Sequence, residues 1–216
     1  MAVVLEGYLD TLRALRQFTP DLYKELNKEI RSALQEVITD AKKRVPNEFG
    51  PGSGLRQWSE PNKYLGQQNF PKWSGAVVRR NLQYSTRSTR PNKSGFVQAY
   101  SLLSKSAAGA IAETAGTQNR QGQPHVGAIT DRTYQNRKQS HSDNPRAGAQ
   151  FIEALDRNIG ELKRVGGKTK NKRGRILYAA YEAQQGRTID KIMLAIRKTK
   201  TLYEQRVSDP RVGKAA

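Results

Sequence analysis

The sequence predicts an α+β fold in which an antiparallel β-meander packs against long N- and C-terminal helices and carries a long basic loop or arm. Two observations predict it. An apolar repeat of helical period runs over residues 20–45, and segments rich in Val, Tyr, Phe and Leu follow over 75–114, separated by turn residues. We expect a single domain over 18–207, with an N-terminal extension over 1–17 and a disordered tail over 208–216.

The first predicted helix is the clearest element of the chain. Thr19 is a plausible N-cap, Pro20 suits the first helical position, and Pro46 closes the segment. Apolar residues recur every three or four positions, which places them on one buried face. This core stripe comprises Leu22, Leu26, Ile30, Leu34 and Val37, continued by Ala41 and Val45. The opposite face mixes Lys24, Glu25, Lys28, Glu29, Arg31 and Glu36, and indicates a solvated surface.

The segment after Pro46 is rich in Gly, Pro, Ser and Asn and predicts irregular structure up to residue 74. Three segments then favour strands, at 75–87, 94–106 and 107–114, and together they predict a three-stranded meander. The last segment, AAGAIAET, ends in an acid, Glu113, in an otherwise small and apolar context. That acid could accept backbone N–H groups of the following turn, pair with an arginine such as Arg175, or be an exposed strand-end acid without a partner.

A polar, basic excursion follows the meander, and we expect a flexible insertion over 117–175. Within it, Phe151, Ile152, Leu155, Ile159, Leu162 and Val165 form a second helical stripe. A final helical region covers 176–207. It is predicted to be interrupted at Gly186 and restarted by Thr188 as an N-cap, with an inner face of Ile189, Ile192, Met193, Ile196, Leu202 and Tyr203.

The composition points to a polyanionic partner. The formal net charge is +19 and the isoelectric point is near 10.3, so nucleic acid, acidic protein and membrane surfaces are all attracted. There is no cysteine, which removes disulfides and thiolate chemistry. No apolar run has the roughly 18 residues of a membrane span, and the N-terminus carries acids where a signal peptide carries Lys or Arg. A soluble protein made in the cytoplasm, with no membrane partner, is therefore expected.

Catalytic and metal-binding patterns do not emerge from the sequence. The two histidines, His125 and His141, lie in the polar tract without a second ligand at metal-binding spacing. The GGKT segment at 166–169 resembles a phosphate-binding loop, but the first glycine of that motif would fall on Leu162. We expect neither an enzyme nor a cofactor.

The basic residues that could contact DNA or an acidic partner are concentrated in two runs. For any one run, a solvated group of charges is an equally good interpretation. The candidates are Arg79, Arg80, Arg87, Arg90, Lys93, Lys168, Lys170, Lys172, Arg173 and Arg175.

The order of these elements resembles the siphophage neck or tail-completion family, proteins at the junction between the head connector and the tail. The features that carry the resemblance are a long helix ending in KKRVP at 42–46, an SGL segment, strand-like segments, an acid-glycine motif in ETAGT, and a helix opening RILYAA from Arg175. The motif residues are Gly54, Leu55, Glu113, Gly116 and Thr117. Two departures are the extra residue between Glu113 and Gly116 and the length of the basic excursion.

The resemblance implies a structural virion protein of a tailed bacteriophage. It would form a homo-oligomeric ring around the DNA channel and contact other neck and tail proteins and the double-stranded DNA. It would reside at the neck or top of the tail after assembly in the bacterial cytoplasm. The alternative is a free-standing, sequence-independent DNA-binding protein, monomeric or dimeric, that uses the same basic loops.

Overall fold

The computed structural model describes residues 14–17, 19–55, 58, 71–87, 100–117, 144–160 and 174–208. Over these residues the fold is mostly helical with a small antiparallel sheet, and is broadly α+β. The helices are α1 (Pro20–Lys43), α2 (Gly75–Arg80), α3 (Ala107–Thr114), α4 (Ala147–Ile159) and α5 (Leu177–Ser208), and the strands are β1 (Leu82–Ser85) and β2 (Ser101–Ser104).

The chain divides into two compact units. Unit 1 consists of Met1–Thr39, Tyr84–Leu103 and Ala183–Ala216, and unit 2 of Asp40–Gln83 and Ser104–Glu182. The predicted limits of the domain, extension and tail stay predictions.

In unit 1, α1 and α5 supply a shared apolar core. Its buried members are Leu15, Leu22, Leu26, Ile30, Ala33, Leu34, Ile192 and Ala195, with tyrosines from both strand regions packed against them. α1 begins at Pro20 as predicted, because a proline loses no hydrogen bond at the first helical position. All five residues of the predicted stripe, through Val37, are at most 4% exposed, which confirms it.

The α5 helix runs without interruption through Gly186, so the predicted break there is wrong. A glycine inside a helix costs only about 1 kcal/mol relative to alanine. Interrupting a helix of this length at that position would cost more free energy than keeping the glycine in it. Thr188 is 2% exposed and lies within α5, where a buried position suits its small side chain.

The predicted three-stranded meander is wrong for its third segment and for the first half of its first segment, whereas the second half of that segment contains β1 and the second segment contains β2. Residues 75–80 form α2, and AAGAIAET forms α3, leaving β1 and β2 as the strands of the sheet in the described part of the chain. A serine precedes each of these helices and caps it: Ser74 Oγ accepts from Val77 N at 3.3 Å and Ser106 Oγ from Gly109 N at 3.2 Å. The caps, together with the high helix propensity of the alanines in α3, outweigh the apolar composition that indicated strands.

Unit 2 is built around aromatic rings carried largely by irregular backbone. The ring centroids of Phe49 and Trp73 are 4.7 Å apart, those of Trp58 and Trp73 5.0 Å, and those of Trp58 and Phe151 5.4 Å. Trp58 donates its indole N–H to the carbonyl of Pro71 at 2.8 Å. The described part of the segment after Pro46 is irregular over most of its length, as predicted, but it contains a 3-10 helix over Pro51–Ser53 and Trp58 has helical backbone. The segment also supplies core residues.

The predicted insertion contains a regular element. α4 covers Ala147–Ile159, and Ile152, Leu155 and Ile159 are buried, which confirms that part of the predicted stripe. Phe151 is half-buried, and Leu162 and Val165 lie outside the described residues. Most of the polar tract (118–143), the basic loop (161–173), residues 88–99 and the tail (209–216) lie outside the described residues. In the part of the chain that is described, no helix is both long and apolar enough to cross a membrane.

Candidate functional site

The acid singled out by the sequence, Glu113, caps the start of α5. Its Oε2 atom accepts from the backbone N–H groups of Ile176 at 2.7 Å and Leu177 at 3.1 Å, and its Oε1 atom accepts from Tyr178 at 2.9 Å. These donors have no partner within the helix, and the positive end of the helix dipole lies among them. A side chain from α3 thus satisfies the first turn of a helix that begins 64 residues later in the chain.

The backbone before α5 passes directly against this carboxylate. A Cβ atom on Gly174 would lie 1.8 Å from Oε1 and 2.3 Å from Cδ of Glu113. No side chain fits at that distance, so glycine is required at 174 for the carboxylate to reach the helix end.

The next residue, Arg175, is 1% exposed and binds two further elements. Its Nε donates to Asp156 Oδ1 at 2.8 Å, and Nη2 lies 2.6 Å from the same oxygen, close enough for an ion pair but not aligned as a hydrogen bond. Its Nη1 donates to the carbonyls of Ala112 and Ala115, each at 2.8 Å. Those carbonyls belong to the end of α3, where a cation is favoured by the helix dipole.

The segment Ser53–Leu55, which precedes α3 in the chain, also contacts α4. The carbonyl of Ser53 accepts from Arg157 Nη2 at 2.9 Å and from Asn158 Nδ2 at 2.8 Å. Gly54 has φ +74°, and a Cβ atom there would lie 3.0 Å from Arg157 Nη2. Leu55 is buried at 2% exposure, and its N–H donates to Ser53 Oγ at 3.0 Å.

The acid-glycine motif is closed by Gly116 and Thr117. Gly116 has φ +79°, and a Cβ atom there would lie 2.6 Å from Ile152 Cγ2 of α4. The hydroxyl and the N–H of Thr117 both donate to the carbonyl of Thr114, at 2.7 and 3.0 Å. Only a glycine combines that backbone conformation with such close approach to α4.

The residues named by the resemblance therefore meet in one place within unit 2. We call this set the polar junction: Ser53–Leu55, Glu113–Thr117, Asp156–Asn158 and Gly174–Tyr178. Two carboxylates, two guanidinium groups and two helix ends lie together there, and each takes part in hydrogen bonds within the fold. Because these groups are engaged in protein contacts, the junction suits the joining of segments and not acid–base or nucleophilic chemistry. Among the described residues, no group of three or more His, Asp or Glu side chains is arranged to hold a metal ion.

The alternatives for Glu113 are now decided. The carboxylate accepts backbone N–H groups, but those at the start of α5 and not those of its own turn. Arg175 pairs with Asp156, and its predicted role as a contact for DNA or an acidic partner is wrong, because a side chain that is 1% exposed cannot reach a partner at the surface.

The other predicted basic contacts are distributed unevenly. Arg79 folds back onto the end of α1, donating to the Val45 carbonyl at 2.8 Å and to the Asn47 side chain. Arg80 and Arg87 are exposed. The remaining candidates lie outside the described residues: Arg90, Lys93, Lys168, Lys170, Lys172 and Arg173. His125 and His141 lie outside them as well.

Sequence reasoning missed the side of the junction formed by α4. Asp156, Arg157 and Asn158 belong to the polar face of an amphipathic helix, where such residues are usually solvated. Gly174 belongs to a basic segment that contains several glycines, and nothing in the sequence distinguishes it from the others. The sequence DRN at 156–158 contained a signal, because it places three consecutive hydrogen-bonding side chains near the end of a helix. It does not identify their partners, which are distant in sequence.

Comparisons of this chain with protein-family models, with curated proteins and with solved structures found no match.

Proposed function

We propose that this protein is a structural component of a tailed bacteriophage, of the neck or tail-completion type. In this role it forms a ring around the DNA channel and joins the head connector to the tail, without enzymatic activity. Its partners are further copies of itself, the neighbouring neck and tail proteins, and the double-stranded DNA that passes through the ring.

One observation carries the proposal. The resemblance rests on short motifs in a particular order, and such motifs individually arise by chance. The residues in question nevertheless contact a common set of elements in unit 2: Glu113 caps the helix that opens with RILYAA, and Gly54 and Gly116 both pack against α4. A shared structural role for these residues supports treating their order as one pattern rather than as independent coincidences.

The chemistry of the polar junction fits a protein that transmits contacts rather than one that turns over a substrate. Its charged groups are neutralised internally, so the junction holds segments from four parts of the chain in fixed positions. A ring subunit needs such fixed segments because each subunit must present the same surfaces to its neighbours.

The proposal is tested in the phage that encodes the chain. A nonsense mutation in the gene should yield DNA-filled heads and separate, complete tails in the lysate, seen by negative-stain electron microscopy. Addition of the purified protein to that lysate should restore joined, infectious particles. The Leu26→Asp variant, which places a carboxylate in the apolar stripe, should fail to restore them, whereas the matched surface variant Glu29→Gln should succeed.

Joined and infectious particles in the absence of the protein would overturn the proposal. The alternative, a free-standing DNA-binding protein, is favoured by the net charge of +19 alone. It predicts that mutant lysates contain normally joined particles and that the defect appears earlier, in the amount of phage DNA. The same lysates therefore separate the two functions.

A further inference from the structure

The exposed face of α1 in unit 1 carries a row of cations. Lys24, Lys28 and Arg31 are all exposed and stand at spacings of four and three, which places them on one face of the helix. Among the described residues none of the three has a carboxylate partner. We call these three residues the basic stripe.

Three acids of α1 lie on a different flank of the helix, against α5. Asp21 Oδ2 is 2.6 Å from Arg206 Nη1, and Glu25 Oε1 is 2.9 Å from Lys198 Nζ. Farther along the helix, Glu36 pairs with Lys191. Each acid of α1 in these pairs is thus matched by a base from α5.

A fourth acid, Glu29, follows the same arrangement. The pKa of Lys198 is raised, chiefly by its hydrogen bond to Glu25 and by the charge of that group, with a smaller contribution from the charge of Glu29. Glu29 therefore acts on the α5 side of α1, one helical turn beyond Glu25.

This pairing removes the nearest neutralising groups from the basic stripe. Asp21 and Glu25 stand three residues before Lys24 and Lys28, a spacing at which oppositely charged side chains on a helix normally interact. Their carboxylates are instead bound to α5. The sequence of α1 predicts a face of mixed charge opposite its apolar stripe. Because the acids are paired with α5, the basic stripe presents positive charge to the solvent.

We propose that the basic stripe is a contact surface for the phosphate backbone of duplex DNA. At 1.5 Å per residue its cations are separated by about 6 Å and 4.5 Å along a straight helix. Duplex DNA carries about one negative charge per 1.7 Å of its axis, so a short row of cations lies near several phosphates at any position along the duplex. An acidic protein segment presents regularly spaced negative charges only when its fold places its carboxylates that way. Duplex DNA is therefore the partner whose charge spacing fits the basic stripe better.

The contact is independent of base sequence. Lysine and arginine side chains on an exposed helix face neutralise phosphates, and base recognition requires an element seated in a groove. This contact goes beyond the proposed neck function and does not rest on it, since it is measured with the whole chain in solution without phage components.

The test compares two triple variants of the full-length protein with equal change in charge. The first neutralises the basic stripe: Lys24→Gln, Lys28→Gln and Arg31→Gln. The matched control neutralises three basic residues whose acidic partners are neither Asp21 nor Glu25: Arg44→Gln, Lys191→Gln and Lys200→Gln. Fluorescence anisotropy with a labelled duplex is measured over a series of salt concentrations, and circular dichroism confirms that both variants are folded.

The stripe variant should reduce the slope of log K against log salt by about 2 to 3, close to 0.9 for each lost phosphate contact. The control should change the slope by less than about 1, and a duplex of unrelated sequence should behave identically. Equal slopes for wild type and the stripe variant, or equal losses in both variants, would overturn the proposal. So would stripe-dependent binding of polyglutamate with no binding of the duplex, since that result would identify an acidic protein as the partner.

Discussion

Replacement of Glu113 by Gln tests whether the cap on α5 is a principal stabilising contact of unit 2. The substitution keeps the size of the side chain and one acceptor oxygen, but it removes the negative charge and puts an NH₂ group in place of the second oxygen. If that oxygen stays at the N–H groups of Ile176 and Leu177, the NH₂ group faces the N–H of Tyr178.

The expected loss follows from these three contacts. A hydrogen bond to a charged acceptor contributes about 1.5–3 kcal/mol and a neutral one about 0.5–1.5 kcal/mol, so two bonds are weakened and one is lost. The favourable interaction of the carboxylate with the helix dipole, about 0.3–1 kcal/mol, is also removed. Because Glu113 is only partly buried, we expect a total destabilisation of about 2–4 kcal/mol.

Urea denaturation monitored by circular dichroism should show this loss as a midpoint about 1 M lower than in the wild type. Hydrogen–deuterium exchange should also speed up in peptides that cover 174–180. The control is Glu153→Gln, an exposed carboxylate on α4, which should change stability by less than about 0.5 kcal/mol. An E113Q midpoint within error of the control, with unchanged exchange at 174–180, would refute the assignment of Glu113 as the cap.

The remaining predictions concern three other positions. Gly174→Ala should destabilise unit 2 by at least 2 kcal/mol in the same urea assay, because its Cβ would lie 1.8 Å from Glu113 Oε1, and a wild-type midpoint would show that the loop moves freely. Gly186→Ala should stabilise the protein by about 0.5–1 kcal/mol, since nothing lies within 4 Å of the added Cβ, and a loss of stability would contradict a continuous α5. The hydrogen bond from Arg206 lowers the pKa of Asp21 below 3.8, so this pair stabilises the fold above that pH and loses its effect as the pH falls through the lowered value. Arg206→Gln should accordingly lower the urea midpoint slightly near pH 7, and this difference should shrink as the pH falls below 3.8, whereas a difference that does not shrink would exclude the pair as its cause.

The sequence by itself determined the elements whose signal is local. The stripe from Leu22 to Val37 and the stripe of α4 both follow from apolar residues repeating at helical period, and burial of such a face is favourable against almost any apolar neighbour. The net charge of +19 is likewise a property of composition. Serine before AAGAIAET also carried a local signal for a helix, but apolar residues alone do not separate a short helix from a strand.

The tertiary structure decided which charged groups are neutralised and which stay free. Arg175 belongs to a basic run in the sequence, yet it is buried because Asp156 and two carbonyls of α3 reach it from distant parts of the chain. Lys24 stands three residues from Asp21, yet it has no carboxylate partner among the described residues, because Asp21 pairs with Arg206. Both outcomes depend on contacts between residues far apart in sequence, and the local pattern around a charge does not specify which distant partner approaches it.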